Sequence, residues 1–140
     1  MKYAACSGLH LIEMVIVLSL IAILSSIAYP AYSGFVNEAR RDEVGLELFQ
    51  IALAQEQYRV RYGQYALSWY ELGITNSASS VLNSNSGLYQ LELNASESNY
   101  TVSATQIANG FSPCKQLHLN HQMLRTSVDS ELQASSDCWN

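Results

Sequence analysis

The chain has 140 residues and a formal net charge of −5, with 7 lysines and arginines against 12 aspartates and glutamates. That length supplies one modest hydrophobic core rather than two, and its cations are too sparse for general nucleic-acid binding, which needs clustered positive charge. Of the three cysteines, Cys6 precedes a long apolar stretch while Cys114 and Cys138 lie far beyond it, an arrangement compatible with different redox compartments.

That stretch dominates the N-terminal part. From Met14 to Tyr29 there is no charged side chain, and with Leu9 to Ile12 before it and Ala31-Tyr32 after it the segment reaches the roughly 20 residues that span a bilayer. Glu13 stands inside it, where a carboxylate costs about 2.5–3.5 kcal/mol even on lenient insertion scales. A secretory signal would place small residues after its apolar stretch; here Gly8 comes before it. A lipoprotein signal would place a cysteine after the stretch, whereas Cys6 comes first. An uncleaved anchor would explain neither Gly8 nor Glu13.

Gly8 followed by Leu9-His10-Leu11-Ile12-Glu13-Met14, then an unbroken apolar run ending in Ala28-Tyr29-Pro30-Ala31-Tyr32, resembles the N-terminus of the type IV pilin (prepilin) family. The resemblance implies a leader of residues 1–8, cut by a membrane prepilin peptidase between Gly8 and Leu9, with N-methylation of Leu9. Glu13 then falls where the family keeps its assembly glutamate, and Pro30 where it has its first helix proline. Leu9 and His10 depart from the family's usual Phe and Thr or Ser, and Lys2 is the leader's one cation. Cys6 would leave with the leader.

Residues 9–32 are expected to form the transmembrane and filament-core half of a long helix, and 33–62 its amphipathic half. Pro30 removes a backbone donor and should bend it, with Gly34 a turn later lowering helix propensity by about 1 kcal/mol. From Val44 onward two apolar tracks appear. Val44, Leu48, Ile51, Tyr58 and Tyr62 share one face, with Gln55 in the gap; Leu46, Phe49, Leu53 and Val60 lie nearly opposite. One stripe suffices for a surface helix, so two opposed stripes imply burial on two sides, and a domain this small has nothing to cover the second. The pattern does not say which stripe meets the protein's own sheet.

Gly63 ends the helix and opens a head of residues 63–140. Residues 63–87 read as connecting loop, Ser- and Asn-rich from Asn76 to Ser86. The period then changes to two: Tyr89, Leu91 and Leu93 alternate with polar residues, as do Tyr100, Val102 and Ala104 after a turn at 94–98, giving two antiparallel strands. After Pro113, strands at 116–119 and 122–126 are expected to form a hairpin around Asn120-His121, so the sheet spans about 88–126. The class is α+β, a long helix packed on an antiparallel β-meander. In an oxidising compartment Cys114 and Cys138 should pair, a closure worth about 3 kcal/mol in the chain-entropy model. They enclose a C-terminal region, 114–138, as a disulfide does in type IV pilins. The ending Asp137-Cys138-Trp139-Asn140 is similar to the Cys-Trp terminus of certain minor pilins.

No chemistry-bearing cluster points to an enzyme, a cofactor or a metal. His118 and His121 are three apart, but the segment reads as strand and turn with no third ligand beside them. Neither a nucleotide-binding glycine loop nor a serine elbow occurs. Asn94-Ala95-Ser96 and Asn99-Tyr100-Thr101 fit the glycosylation pattern, a chance match in a bacterial protein of this kind.

The resemblance therefore implies a structural subunit of a type IV pilus, most like a minor pilin, serving assembly, motility or adhesion. Its partners would be other pilin subunits, the prepilin peptidase and the inner-membrane assembly machinery. It would sit in the inner membrane with its head in the periplasm, then on the cell surface in the pilus. Two alternatives share the N-terminal signature: a DNA-uptake pilin and a pseudopilin of a type II secretion system. From Gly63 on the cations are Lys115 and Arg125 against six carboxylates, so nucleic acid is not the expected partner.

Overall fold

In a computed structural model the described residues are 7–76, 79, 81–107, 112–131, 133–135 and 138–139. The leader residues Met1 to Cys6, with Lys2 and Cys6 among them, lie outside these, as do Asp137 and Asn140. One helix, α1 (Ser7–Tyr62), is followed by five strands: β1 (Val81–Asn83), β2 (Tyr89–Ala95), β3 (Tyr100–Gln106), β4 (Cys114–Asn120) and β5 (Arg125–Asp129). The chain separates after Val36 into two compact units.

In the first unit, every described side chain from His10 to Tyr32 is exposed, in keeping with a segment long and apolar enough to cross a membrane. α1 passes through Pro30 and Gly34 as helix. Serine hydroxyls turn back onto the helix's own carbonyls, Ser19 to Ile16, Ser26 to Ile23 and Ser33 to Pro30 at 2.7–2.9 Å. Bonded in this way, each hydroxyl has a partner within its own helix.

In the second unit the strands form one antiparallel sheet in the order β1-β2-β3-β4-β5, each strand beside its sequence neighbour. The alternation in β2 and β3 places Tyr89, Leu91, Tyr100, Val102 and Ala104 inward, joined by Leu117 and Leu119 of β4. Against this face lies the stripe Val44, Leu48, Ile51 and Gln55 of α1, at most 5% exposed, while Leu46, Leu53 and Val60 are 63%, 59% and 89% exposed. The first stripe therefore meets the sheet. Its predicted extension stops at Gln55: Tyr58 is half-buried, Tyr62 is exposed, and their rings lie 4.4 Å apart.

α1 ends where Gly63, at φ 78°, closes it through an N–H bond to Arg59 O at 2.8 Å. Beyond it Tyr65, Ala66 and Trp69 are buried, so the connection folds back under the core. Gln55 fastens it: Nε2 donates to Ala66 O and Oε1 accepts from Ala66 N, each at 2.9 Å.

Three sequence readings are corrected. β1 lies within the stretch read as loop, paired with β2 through Leu82 and Leu91. The second hairpin is displaced: the residues expected to begin its return strand, Gln122 to Leu124, belong to the turn, and β5 extends to Asp129. Asn120 causes the shift, its Oδ1 accepting the N–H groups of Gln122 and Leu124 at 3.0 and 2.9 Å while Met123 takes φ 58°. Ser127 to Asp129, beyond the expected end of the sheet at 126, are therefore sheet residues.

Candidate functional site: helix faces and disulfide-tied tail

The helix supplies two apolar surfaces that the chain leaves open. On the first unit Glu13 is exposed on α1 among apolar neighbours. Gly8 and Leu9 lie in the same helix, with the Leu9 side chain outside what is described. Pro30 is exposed within the helix. On the second unit, Leu46, Leu53 and Val60 occupy the face away from the sheet.

Cys114 and Cys138 are joined, with Cα atoms 5.7 Å apart and both residues nearly inaccessible. The bond holds the C-terminal region against β5. Ala134 bridges Val128, Ser135 N donates to Ser127 O at 3.0 Å, the Ser127 hydroxyl donates to Ser135 O, and Asp129 N donates to Gln133 O at 2.9 Å. Next to the disulfide, Trp139 donates from Nε1 to Thr126 O at 2.9 Å and sets its ring edge-on to Phe49 at 6.0 Å. The indole lies over Gly45, where an added Cβ would meet it at an ordinary contact distance of 3.6 Å. The tail thus contributes an aromatic side chain to the helix face that carries Leu46 and Leu53. The Cys-Trp pair was visible in the sequence, but its seat on Gly45 and Phe49 was not.

Where α1 meets the β4–β5 turn, Tyr65 anchors a polar cluster. Arg59 Nη1 donates to the Tyr65 hydroxyl at 2.7 Å, and that hydroxyl donates to Glu56 Oε1 at 2.9 Å. The guanidinium also lies over the Tyr65 ring, 4.9 Å from its centre. Burial, then the bond to the Glu56 carboxylate, push the Tyr65 phenol above its ordinary pKa, with Arg59 opposing. Burial carries Tyr100, 4.8 Å from the Tyr65 ring, up to about 12. A groove of about 450 Å³ opens beside this cluster, lined by Phe49, Leu53, Arg59, Tyr65, His121 and Met123 among others. His121 faces this groove, while His118 lies in β4 between Ser103 and Thr126, its pKa lowered by burial. Among the described residues no group of three metal-ligating side chains occurs.

A family profile described as "Type IV minor pilin ComP, DNA uptake sequence receptor" matches residues 30–118. Among solved structures, a type IV pilin from Shewanella oneidensis superposes with a TM-score of 0.52 at 20% identity, over 74% of this chain and 98% of that one. At that identity the likeness is one of fold. No curated protein sequence matches the chain.

Proposed function

The chain belongs to the type IV minor pilin ComP family, and from that premise we propose that it is built into a pilus through α1 after cleavage between Gly8 and Leu9 and N-methylation of Leu9. In this reading α1 first holds the subunit in the inner membrane, with the head in the periplasm. Assembly then exchanges lipid for neighbouring helices. Glu13 pairs with the N-terminal amine of an adjacent subunit, because a carboxylate is tolerable in an apolar bundle when it meets an opposite charge and costly when it does not. Pairing is possible in one register, so the glutamate selects the position of each incoming subunit. The assembled pilus would serve motility or adhesion.

The observation that carries this reading is the division of labour on α1: one stripe fills the head's core, while Leu46, Leu53 and Val60 stay bare at 59–89% exposure. Surface of that kind calls for a partner. Family membership favours a pilus over a type II secretion pseudopilin. The test is Glu13→Val, which should insert into the membrane normally and be missing from sheared filaments examined by mass spectrometry. The same spectra report the cut after Gly8 and the methyl group on Leu9. Normal incorporation of the variant would refute the pairing role.

A second reading, DNA uptake, draws support from the family's description as a DNA uptake sequence receptor. The net charge of −5 opposes a diffuse phosphate-binding surface. A sequence receptor can instead rely on a few directed side chains at base edges, and Arg59 and His121 beside their groove are the candidates here. Purified protein that binds no duplex even at low salt would exclude this reading; tight binding lost in Arg59→Ala would favour it.

A further inference from the structure

We propose that Arg41 activates Cys114 for thiol–disulfide exchange, and that Cys138 is the sulfur at which an external thiol reagent enters and leaves. Arg41 lies on α1 just before Val44, the first residue of the buried stripe, and its Nη1 donates to Cys114 Sγ at 3.9 Å. Its Nε is buried without a hydrogen-bond partner among the described residues. In the oxidised protein the guanidinium thus meets a weak, uncharged sulfur acceptor and leaves a donor unsatisfied. In the reduced protein the same geometry would present a cation to a thiolate, and a neighbouring arginine lowers a thiol's pKa. Arg41 therefore favours the thiolate of Cys114 over the thiol.

The two sulfurs are almost equally inaccessible, Cys114 2% and Cys138 3% exposed, but their surroundings differ. A surface depression of about 240 Å³ beside the disulfide is lined by Arg41, Gly45, Phe49, Leu117, Cys138 and Trp139 among others. Cys114 is not part of that wall; it lies behind, at the start of β4, with its N–H bonded to Ser112 Oγ at 3.2 Å. Cys138 belongs to the C-terminal tail that Trp139 and Ser135 hold against β5.

Closure then runs in a balanced step. The Cys138 thiolate, its proton lost to solvent, first attacks an external disulfide, such as that of a thiol oxidoreductase or of oxidised glutathione; that S–S bond breaks, one external thiolate leaves, and the other sulfur stays on Cys138 as a mixed disulfide. The Cys114 thiolate, its proton already lost to solvent, attacks Cys138 Sγ. The Cys114–Cys138 bond forms, the mixed disulfide breaks, and the electron pair departs on the external thiolate. In reverse, attack at Cys138 expels Cys114 as a thiolate stabilised by Arg41, and a leaving thiol of lower pKa leaves faster. Other ionisable groups around the pair are Tyr89, whose phenol senses Arg41, Asp42 on the rim of the depression, Lys115 beside Cys114, and Asp129 opposite Cys114 in β5. The Asp129 carboxylate is occupied by the N–H groups of Glu131 and Gln133, each at 2.9 Å.

The experiment uses the full chain in detergent, with Cys6→Ser to remove the third thiol, equilibrated in reduced and oxidised glutathione from pH 6 to pH 9. Arg41→Met keeps much of the side chain's volume and removes the charge; Arg41→Lys keeps the charge. Relative to the parent, Arg41→Met should favour the disulfide by about tenfold near pH 9, with the difference shrinking towards none near pH 6, where both thiols are protonated. Arg41→Lys should retain most of the pH-dependent part. With Cys138→Ser added, alkylation of the single remaining thiol by iodoacetamide should have a midpoint about one pH unit lower when Arg41 is present than when Arg41→Met is combined with it. An equilibrium unaffected by Arg41→Met, or shifted equally at every pH, overturns the proposal, since a packing role alone gives no pH dependence. If Cys138→Ser fails to fold, the glutathione equilibrium decides by itself.

Discussion

Replacing Gln55 by Met isolates what the buried amide contributes to the head. The two side chains are close in length and volume, so the change removes hydrogen bonds with little cavity or overpacking. Gln55 and Ala66 are both fully buried, and the amide meets Ala66 with two bonds of 2.9 Å. Met leaves the Ala66 N–H and C=O without those partners, at about 1–3 kcal/mol for each buried unsatisfied group. The more apolar side chain returns part of this, on the order of 1–2 kcal/mol. The expected net loss is about 2–3 kcal/mol. Urea titration of the full chain in detergent, followed by fluorescence of the buried Trp69, should show the midpoint fall with an unchanged slope. Amide exchange at Ala66 should accelerate beyond the global change. A variant as stable as the parent, with Ala66 still protected, would refute the idea that Gln55 holds the post-helix connection.

Two further predictions concern the same unit. Gly45→Ala should stabilise it by up to about 1 kcal/mol through helix propensity, because the added methyl reaches Trp139 at an ordinary contact distance of 3.6 Å; a lower urea midpoint would show that the indole needs the bare backbone. Glu47, whose carboxylate accepts from Asn85 N, has its pKa raised above 4.5, chiefly by burial and also by Glu43, with the Asn85 bond opposing. A raised folded-state pKa means that the folded state holds the proton more tightly, so stability from this group is present below 4.5 and lost as pH rises through the folded value. Glu47→Gln should therefore gain stability relative to the parent between about pH 4 and pH 7, measured by urea midpoints; a constant difference across that range would contradict the assignment.

Much of this architecture was legible because apolar periodicity reports burial directly. The two-track pattern of α1 and the alternation at Tyr89-Leu91 and Tyr100-Val102-Ala104 needed no tertiary knowledge. Which track faced the sheet was not legible, since both are comparably apolar and only the tail's Trp139 and the buried Gln55 distinguish them in space. β1 was hidden because three residues are too few to show alternation, and its pairing is decided by β2. The β4–β5 turn misled for a chemical reason: Met123 and Leu124 look like strand residues, yet Asn120's side chain dictates the turn and Met123 adopts a left-handed backbone. The arginine beside Cys114 could not be found from spacing, since 73 positions separate them.

The strip of chain at Ala134 and Ser135, with the Trp139 indole beyond it, has a meaning for how this subunit can and cannot polymerise. An open strand edge is a template on which another chain can extend the sheet. Here the carbonyls of Thr126 and Ser127 on β5 are already engaged by Trp139 and Ser135, and on the opposite border the Ser79 hydroxyl engages both N and O of Val81. These contacts occupy part of each border of the sheet and so disfavour amyloid-like growth through strands.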